Sequence, residues 1–116
     1  YHAAASILSN QVIAVLDMGY SLLEDCGFTR AEAVRATGQL VMRNIENVLE
    51  AGCDGALTGP IERNDIETVK KHIACMQNDD SDDVRLYKML GTKLVNIAEK
   101  KNPDKDYTQM MELLRG

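Results

Sequence analysis

The chain has 116 residues, with one Phe, four Tyr and no Trp, and its formal net charge is −5. That length allows one domain with a real core but is too short for a complete cofactor-dependent enzyme. Both signs of charge are spread along the chain, without the basic patch of a nucleic-acid binder. There is also no uninterrupted apolar run of about 18 residues to span a membrane, because Ser9, Asn10, Gln11 and Asp17 break the most hydrophobic region.

Helix one is expected from about residue 3 to 25. Leu8, Val12, Val15, Gly19, Leu22 and Cys26 alternate spacings of four and three, so they share one face. Ile7, Ile13, Leu16, Tyr20 and Leu23 widen that face well beyond one stripe. A helix about 35 Å long and apolar over most of its circumference is either central or covered on a second side by another chain. Gly27 supplies its stop.

Thr29-Arg30-Ala31-Glu32 is a capping box, from which helix two runs to about Ala51 and ends at Gly52. Val34, Thr37, Leu40, Val41, Ile45, Val48 and Leu49 are expected to face inward, with Glu32, Arg35, Gln39, Arg43, Glu46 and Glu50 on the solvated side. Asp65 caps a third helix over about 66–77, and Asn78 to Asp83 form a turn and the cap of a fourth over about 82–100. Val84, Leu86, Tyr87, Leu90, Leu94, Val95 and Ile97 are its packing candidates. Asn102-Pro103 breaks it, and Asp104 is expected to cap a short last helix carrying Met110, Met111, Leu113 and Leu114. No strand pattern is present, so the fold class is all-α: one helical domain over 1–116, a bundle built on a long central N-terminal helix. Tyr1 stands where an initiator Met would be, which points to a domain cut from a longer chain.

Chemistry is sparse. Cys26, Cys53 and Cys75 are odd in number and lack CxxC spacing, which fits reduced thiols in the cytoplasm and no zinc site. His2 and His72 have no partner at ligand spacing. The run Asp79-Asp80-Ser81-Asp82-Asp83 fails as a calcium loop, because its sixth and twelfth positions are Val84 and Leu90. Helix one carries a polar stripe of His2, Ser6, Asn10, Asp17, Ser21 and Glu24, with Ser9 beside it. Its acidic half reads as solvated. Its uncharged half needs hydrogen-bond partners from protein, water or ligand.

The unusual stretch is Ala56-Leu57-Thr58-Gly59-Pro60-Ile61-Glu62-Arg63-Asn64-Asp65, between two well-signalled helices. Thr58 offers a hydroxyl, Gly59 close backbone approach, Pro60 a rigid turn, and Arg63 a fork for carboxylate or phosphate. Asn64 suits a left-handed position. The alternative is a structural turn in which Arg63 pairs with Asp65 or Glu67.

These residues carry a resemblance. Tyr1-His2-Ala3-Ala4-Ala5, Ser9-Asn10, Asn47, Gly52 and above all Ala56-Leu57-Thr58-Gly59-Pro60-Ile61, followed by Arg63, Asp65, Thr68-Val69 and His72, look like the family called domain of unknown function 2520. The similarity spans roughly residues 1 to 100. The family usually has Gly between the Arg and the Asp, where this chain has Asn64. Its members join an N-terminal Rossmann-like domain to a helical C-terminal one. They are similar to pyrroline-5-carboxylate reductase, ketopantoate reductase and relatives of 6-phosphogluconate dehydrogenase.

The resemblance implies a substrate-binding and dimerisation domain of an NAD(P)-dependent oxidoreductase, inactive without its Rossmann domain. On that view NAD or NADP is bound mainly by the N-terminal domain, and two copies form a homodimer. Asn10, Thr58, Gly59 and Arg63 would contact a small polar or anionic substrate, and His2 or His72 would assist proton transfer. The alternatives are a non-enzymatic helical interaction module and a degenerate metabolite-binding sensor, since fold alone does not imply function.

Overall fold

The computed structural model describes residues 1–76 and 82–116, so most of the expected Asn78–Asp83 turn and of the acidic run from Asp79 lies outside the described residues. Among the described residues the chain is all-α, with five helices: α1 (His2–Asp25), α2 (Arg30–Ala56), α3 (Ile66–Met76), α4 (Asp83–Lys101) and α5 (Thr108–Arg115). They divide into two compact units, Tyr1–Arg43 and Asn44–Gly116.

The first unit holds α1 and the start of α2. Residues Ile7–Gln11 of α1 widen into a π-turn, a local form often found at functional sites. The helix ends as its glycine foretells. Gly27 takes φ 104°, its amide donates to the Glu24 carbonyl, and Phe28 N–H reaches back to Leu23. That pair of bonds is a Schellman cap. The capping box also forms: Thr29 N–H donates to Glu32 Oε1 at 2.9 Å, and Glu32 N–H to Thr29 Oγ1 at 3.1 Å. The Thr29 amide, then its hydroxyl, hold the Glu32 carboxyl below its ordinary pKa.

Arg30, one residue into α2, reaches back to α1. Its guanidinium meets Asp17 at 3.0 Å and Glu24 at 2.7 Å, donates to Ser21 Oγ and lies over the Tyr20 ring. The acidic half of the α1 stripe, expected to be solvated, is therefore partly occupied by one forked cation. Below it, Leu16, Gly19, Tyr20 and Leu23 line a narrow apolar groove with Thr37 and Val41.

Burial corrects the sequence reading here. Leu8, Val12 and Val15, on the apolar face of α1, are exposed, as are Val34, Leu40, Ile45 and Leu49, which were expected to face inward. Only Ala33 is buried in this unit. Periodicity identifies which face of a helix is apolar; whether the same chain covers that face is a separate matter. Among the described residues α1 alone is long and apolar enough to cross a membrane, at a mean hydropathy of 1.2, on length and composition only. Its polar stripe and its Arg30 pairs make it amphipathic.

The second unit holds the core. Ile61, Val69, Ile73, Val95, Ala98, Tyr107, Met110 and Leu114 form one buried cluster from the loop after α2 and from α3, α4 and α5. Small residues set its closest approach. Gly91 is buried, and a Cβ there would come within 2.8 Å of Leu114 Cδ2. Ala98 and Gly91 were not among the packing candidates of α4, whereas Leu86, which was, is exposed. Regular α2 ends at Gly52 (φ 79°, ψ 173°), and one further turn carries the chain to Ala56. The last helix starts later than expected. Asp106, not Asp104, accepts from Thr108 N–H at 2.9 Å and from its hydroxyl at 2.6 Å.

Met110 is fully buried at the centre of this cluster. Met110→Ala is expected to cost about 2–5 kcal/mol in urea unfolding, because an unbranched side chain enclosed on every side leaves a cavity.

Candidate functional site

The Leu57–Asp65 loop lies wholly in the second unit, and its shape follows from four residues. Gly59 takes φ 102° and Asn64 φ 61°, so Asn64 does occupy the left-handed position that a glycine would accept. Pro60 fixes the bend between them. Backbone bonds from Arg63 to Gly59, from Asn64 to Ile61 and from Asp65 to Pro60 close the turn at 2.8–3.1 Å. Asp65 then caps α3, accepting from Thr68 N–H at 3.1 Å and from Thr68 Oγ1 at 2.7 Å. The Thr68 hydroxyl, then its amide, keep this carboxyl below its ordinary value.

Tethers from the end of α4 and from the segment that follows it hold the loop in place. Tyr107 is buried and donates its hydroxyl to the Glu62 carbonyl at 2.6 Å. Asn102 Nδ2 donates both to Glu62 Oε1 and to the Tyr107 oxygen, each at 3.1 Å. Lys101 Nζ donates to the Leu57 carbonyl at 2.7 Å and stands 3.9 Å from Glu62 Oε1. Asn64 Nδ2 donates to the Asp106 carbonyl at 2.8 Å. Ile61 anchors the turn in the core.

Against this fixed frame Arg63 stands out. Its side chain is 59% exposed, and its contact with Asp65 is 3.9 Å, a separation worth little in water. The pair is made through Nη2 beyond hydrogen-bond distance, which leaves the donors of the guanidinium fork available to an anion. Beside the loop lies a groove of about 230 Å³ with an apolar floor of Val48, Leu57, Leu94 and Ile97 and with Asn44, Cys53 and Thr58 at its polar edge. A larger hollow of about 740 Å³ between α4 and α5 contains none of the residues nominated from sequence.

The nominated residues thus separate. Thr58, Gly59 and Arg63 share the loop. His72, on α3, is committed to α4: its Nδ1 is 3.0 Å from the Tyr87 hydroxyl, with the rings edge to face. Burial raises the Tyr87 phenol. His2 and Asn10 lie on α1 in the other unit, both exposed. Asn10 sits in the π-turn with its amide 3.1 Å from Ser9 Oγ, whose proton goes to the Ala5 carbonyl at 2.6 Å. Among the described residues no group of three His, Cys, Asp or Glu is placed to hold a metal ion.

Lys101, Asn102, Asp106 and Tyr107 were missed as partners of the loop. Asn102 was read only as a helix stop, and nothing local ties residues 101–107 to a turn about 40 positions earlier. A Tyr at a core position was the one available signal, since a buried phenol needs a hydrogen-bond partner.

The family model described as domain of unknown function (DUF2520) matches residues 1–94. No curated protein and no solved structure matches the chain.

Two measurements check this site. Tyr107→Phe leaves the Glu62 carbonyl without its donor and is expected to cost about 1–3 kcal/mol, with faster amide exchange across 57–65. The Asp65 carboxyl should titrate below 3.8 by NMR. A depressed folded value means the cap contributes fully above the unfolded pKa and is lost as pH falls through the folded one. Asp65→Asn should flatten that part of the acid limb.

Proposed function

Since the chain belongs to the DUF2520 family, we propose that it is the substrate-binding and dimerisation domain of an NAD(P)-dependent oxidoreductase, with the dinucleotide-binding domain N-terminal to it in the parent protein. The observation that carries this reading is the tethered Thr58-Gly59-Pro60 loop, with an open Arg63 fork, beside a groove of mixed polarity. A turn needed only to join two helices has no use for a largely exposed guanidinium on a backbone tied down by Lys101, Asn102, Asp106 and Tyr107.

In this reading Arg63 takes a carboxylate or phosphate of the substrate in two parallel charge-assisted bonds. Thr58 hydrogen-bonds a neighbouring polar group, and Gly59 lets the substrate approach the backbone. His72, on α3 of the same unit, carries a proton. The described residues contain no strand, and the sequence has no GxGxxG turn, so the cradle for the dinucleotide pyrophosphate falls to the other domain. When bound, the nicotinamide supplies the hydride chemistry. This domain supplies position and charge.

The dimerisation half rests on the first unit. Ile7, Leu8, Ile13 and Leu40 stand open to solvent, and each large apolar side chain left so forgoes about 1.5–3 kcal/mol of burial. A second protein surface over them recovers that energy.

The loop half is tested by titrating the ¹⁵N-labelled chain with oxalate and with inorganic phosphate. Saturable shifts confined to the amides of 57–65, abolished by Arg63→Ala with the remaining spectrum unchanged, are expected. No saturable shift with either anion overturns the substrate-binding role.

A further inference from the structure

The exposed face of α2 has an order that a general hydrophobic patch lacks. Val34, Gly38, Met42, Ile45 and Leu49 follow spacings of four, four, three and four, which places them in a single stripe along a helix that stays regular until Gly52. Val34, Met42, Ile45 and Leu49 are all exposed. A Cβ built on Gly38 meets nothing within 4 Å, so open space lies over that position.

Turned end for end about the Val41–Met42 peptide, four of these five residues exchange places, and Met42 meets Met42 of the second copy diagonally across the axis. Val34 falls opposite Leu49 of a second copy, and Gly38 opposite its Ile45, so the largest gap receives a branched side chain. The charges follow the same symmetry. A twofold axis brings each edge of the helix against the same edge of its mate. Arg35 then falls level with Val48 of the second copy, between that copy's Glu46 and Glu50. Within one chain Glu46 and Glu50 stand one turn apart, an unfavourable like-charge spacing; a facing Arg35 relieves it at Glu46, while Glu50 also meets Glu32 of the second copy along the same edge.

We infer that α2 pairs antiparallel with α2 of a second copy of this chain, through the Val34–Leu49 stripe centred at Met42. This rests on the dimerisation role proposed above and assigns it a surface and a register. Another protein could cover an apolar helix, but only a second copy requires the size pattern and the charge pattern to be complementary to themselves about one point.

The test uses the 116-residue chain with Cys26, Cys53 and Cys75 each changed to Ser. Met42→Cys, next to the twofold axis, is expected to oxidise rapidly to a disulfide-linked species of twice 12.8 kDa; Ile13→Cys on α1 is expected to stay reduced. Arg35→Glu is expected to raise the dimer dissociation constant about tenfold or more, with helicity by circular dichroism unchanged. The charge-reversed Arg35→Glu/Glu46→Arg/Glu50→Arg chain is expected to recover dimerisation. A dimer that cross-links through Ile13→Cys and ignores Arg35→Glu overturns this surface and leaves dimerisation standing. A chain that sediments as a monomer at every concentration overturns both, and the anion titration still decides the loop on its own.

Discussion

The Tyr107 side chain joins the core to the candidate site. Its ring lies in the buried cluster with Val69, Val95 and Met110, and its hydroxyl leaves that cluster to reach the Glu62 carbonyl at 2.6 Å. A phenol has one proton to give and lone pairs to receive; here the proton goes to Glu62 and Asn102 fills the acceptor side. The position of the loop is thereby set by the packing of α4 and α5. A change in that packing is felt at Arg63, which touches none of it.

The two units are stabilised in different ways. The second has a closed core and a fully bonded loop. The first has Ala33 as its only buried residue, and its order comes from helix ends: a Schellman turn at Gly27, a capping box at Thr29, and an Arg30 fork across Asp17, Ser21 and Glu24. Devices of this kind fix where helices begin and end, and each contributes around a kilocalorie per mole. They do not bury apolar area. That imbalance is the physical reason behind the proposal that apolar surface of this chain associates with a second copy.

The extent to which all this was legible in the sequence follows from the range of each interaction. Helix boundaries were readable because their signals are local. Gly27, Thr29 with Glu32, Gly52 and Asp65 each act within a few residues, and each does what its chemistry foretells. The last cap was misplaced by two residues, since Asp104 and Asp106 are equally good candidates until the path of the backbone is known. The left-handed Asn64 was legible for the same local reason. The inward faces of α1 and α2 were not, because amphipathicity identifies the apolar face and leaves open which molecule covers it. The tethers from Lys101, Asn102 and Tyr107 were not legible either, since they act across some 40 residues.

The reach of the family match separates two properties of the loop. Residues 1–94 contain the whole turn, from Gly59 through the Asp65–Thr68 cap, and Ile61, which anchors it. The tethers at Lys101, Asn102, Asp106 and Tyr107 lie beyond that span. Short-range bonds and two positive-φ positions suffice to give the turn its shape. Shape alone does not make a binding site, because a loop free to move loses conformational entropy on meeting a ligand. By holding Leu57, Glu62 and Asn64 from outside, the tethers meet part of that cost during folding and leave Arg63 the mobile group. An anion would then meet a prepared backbone and a single side chain still to be ordered.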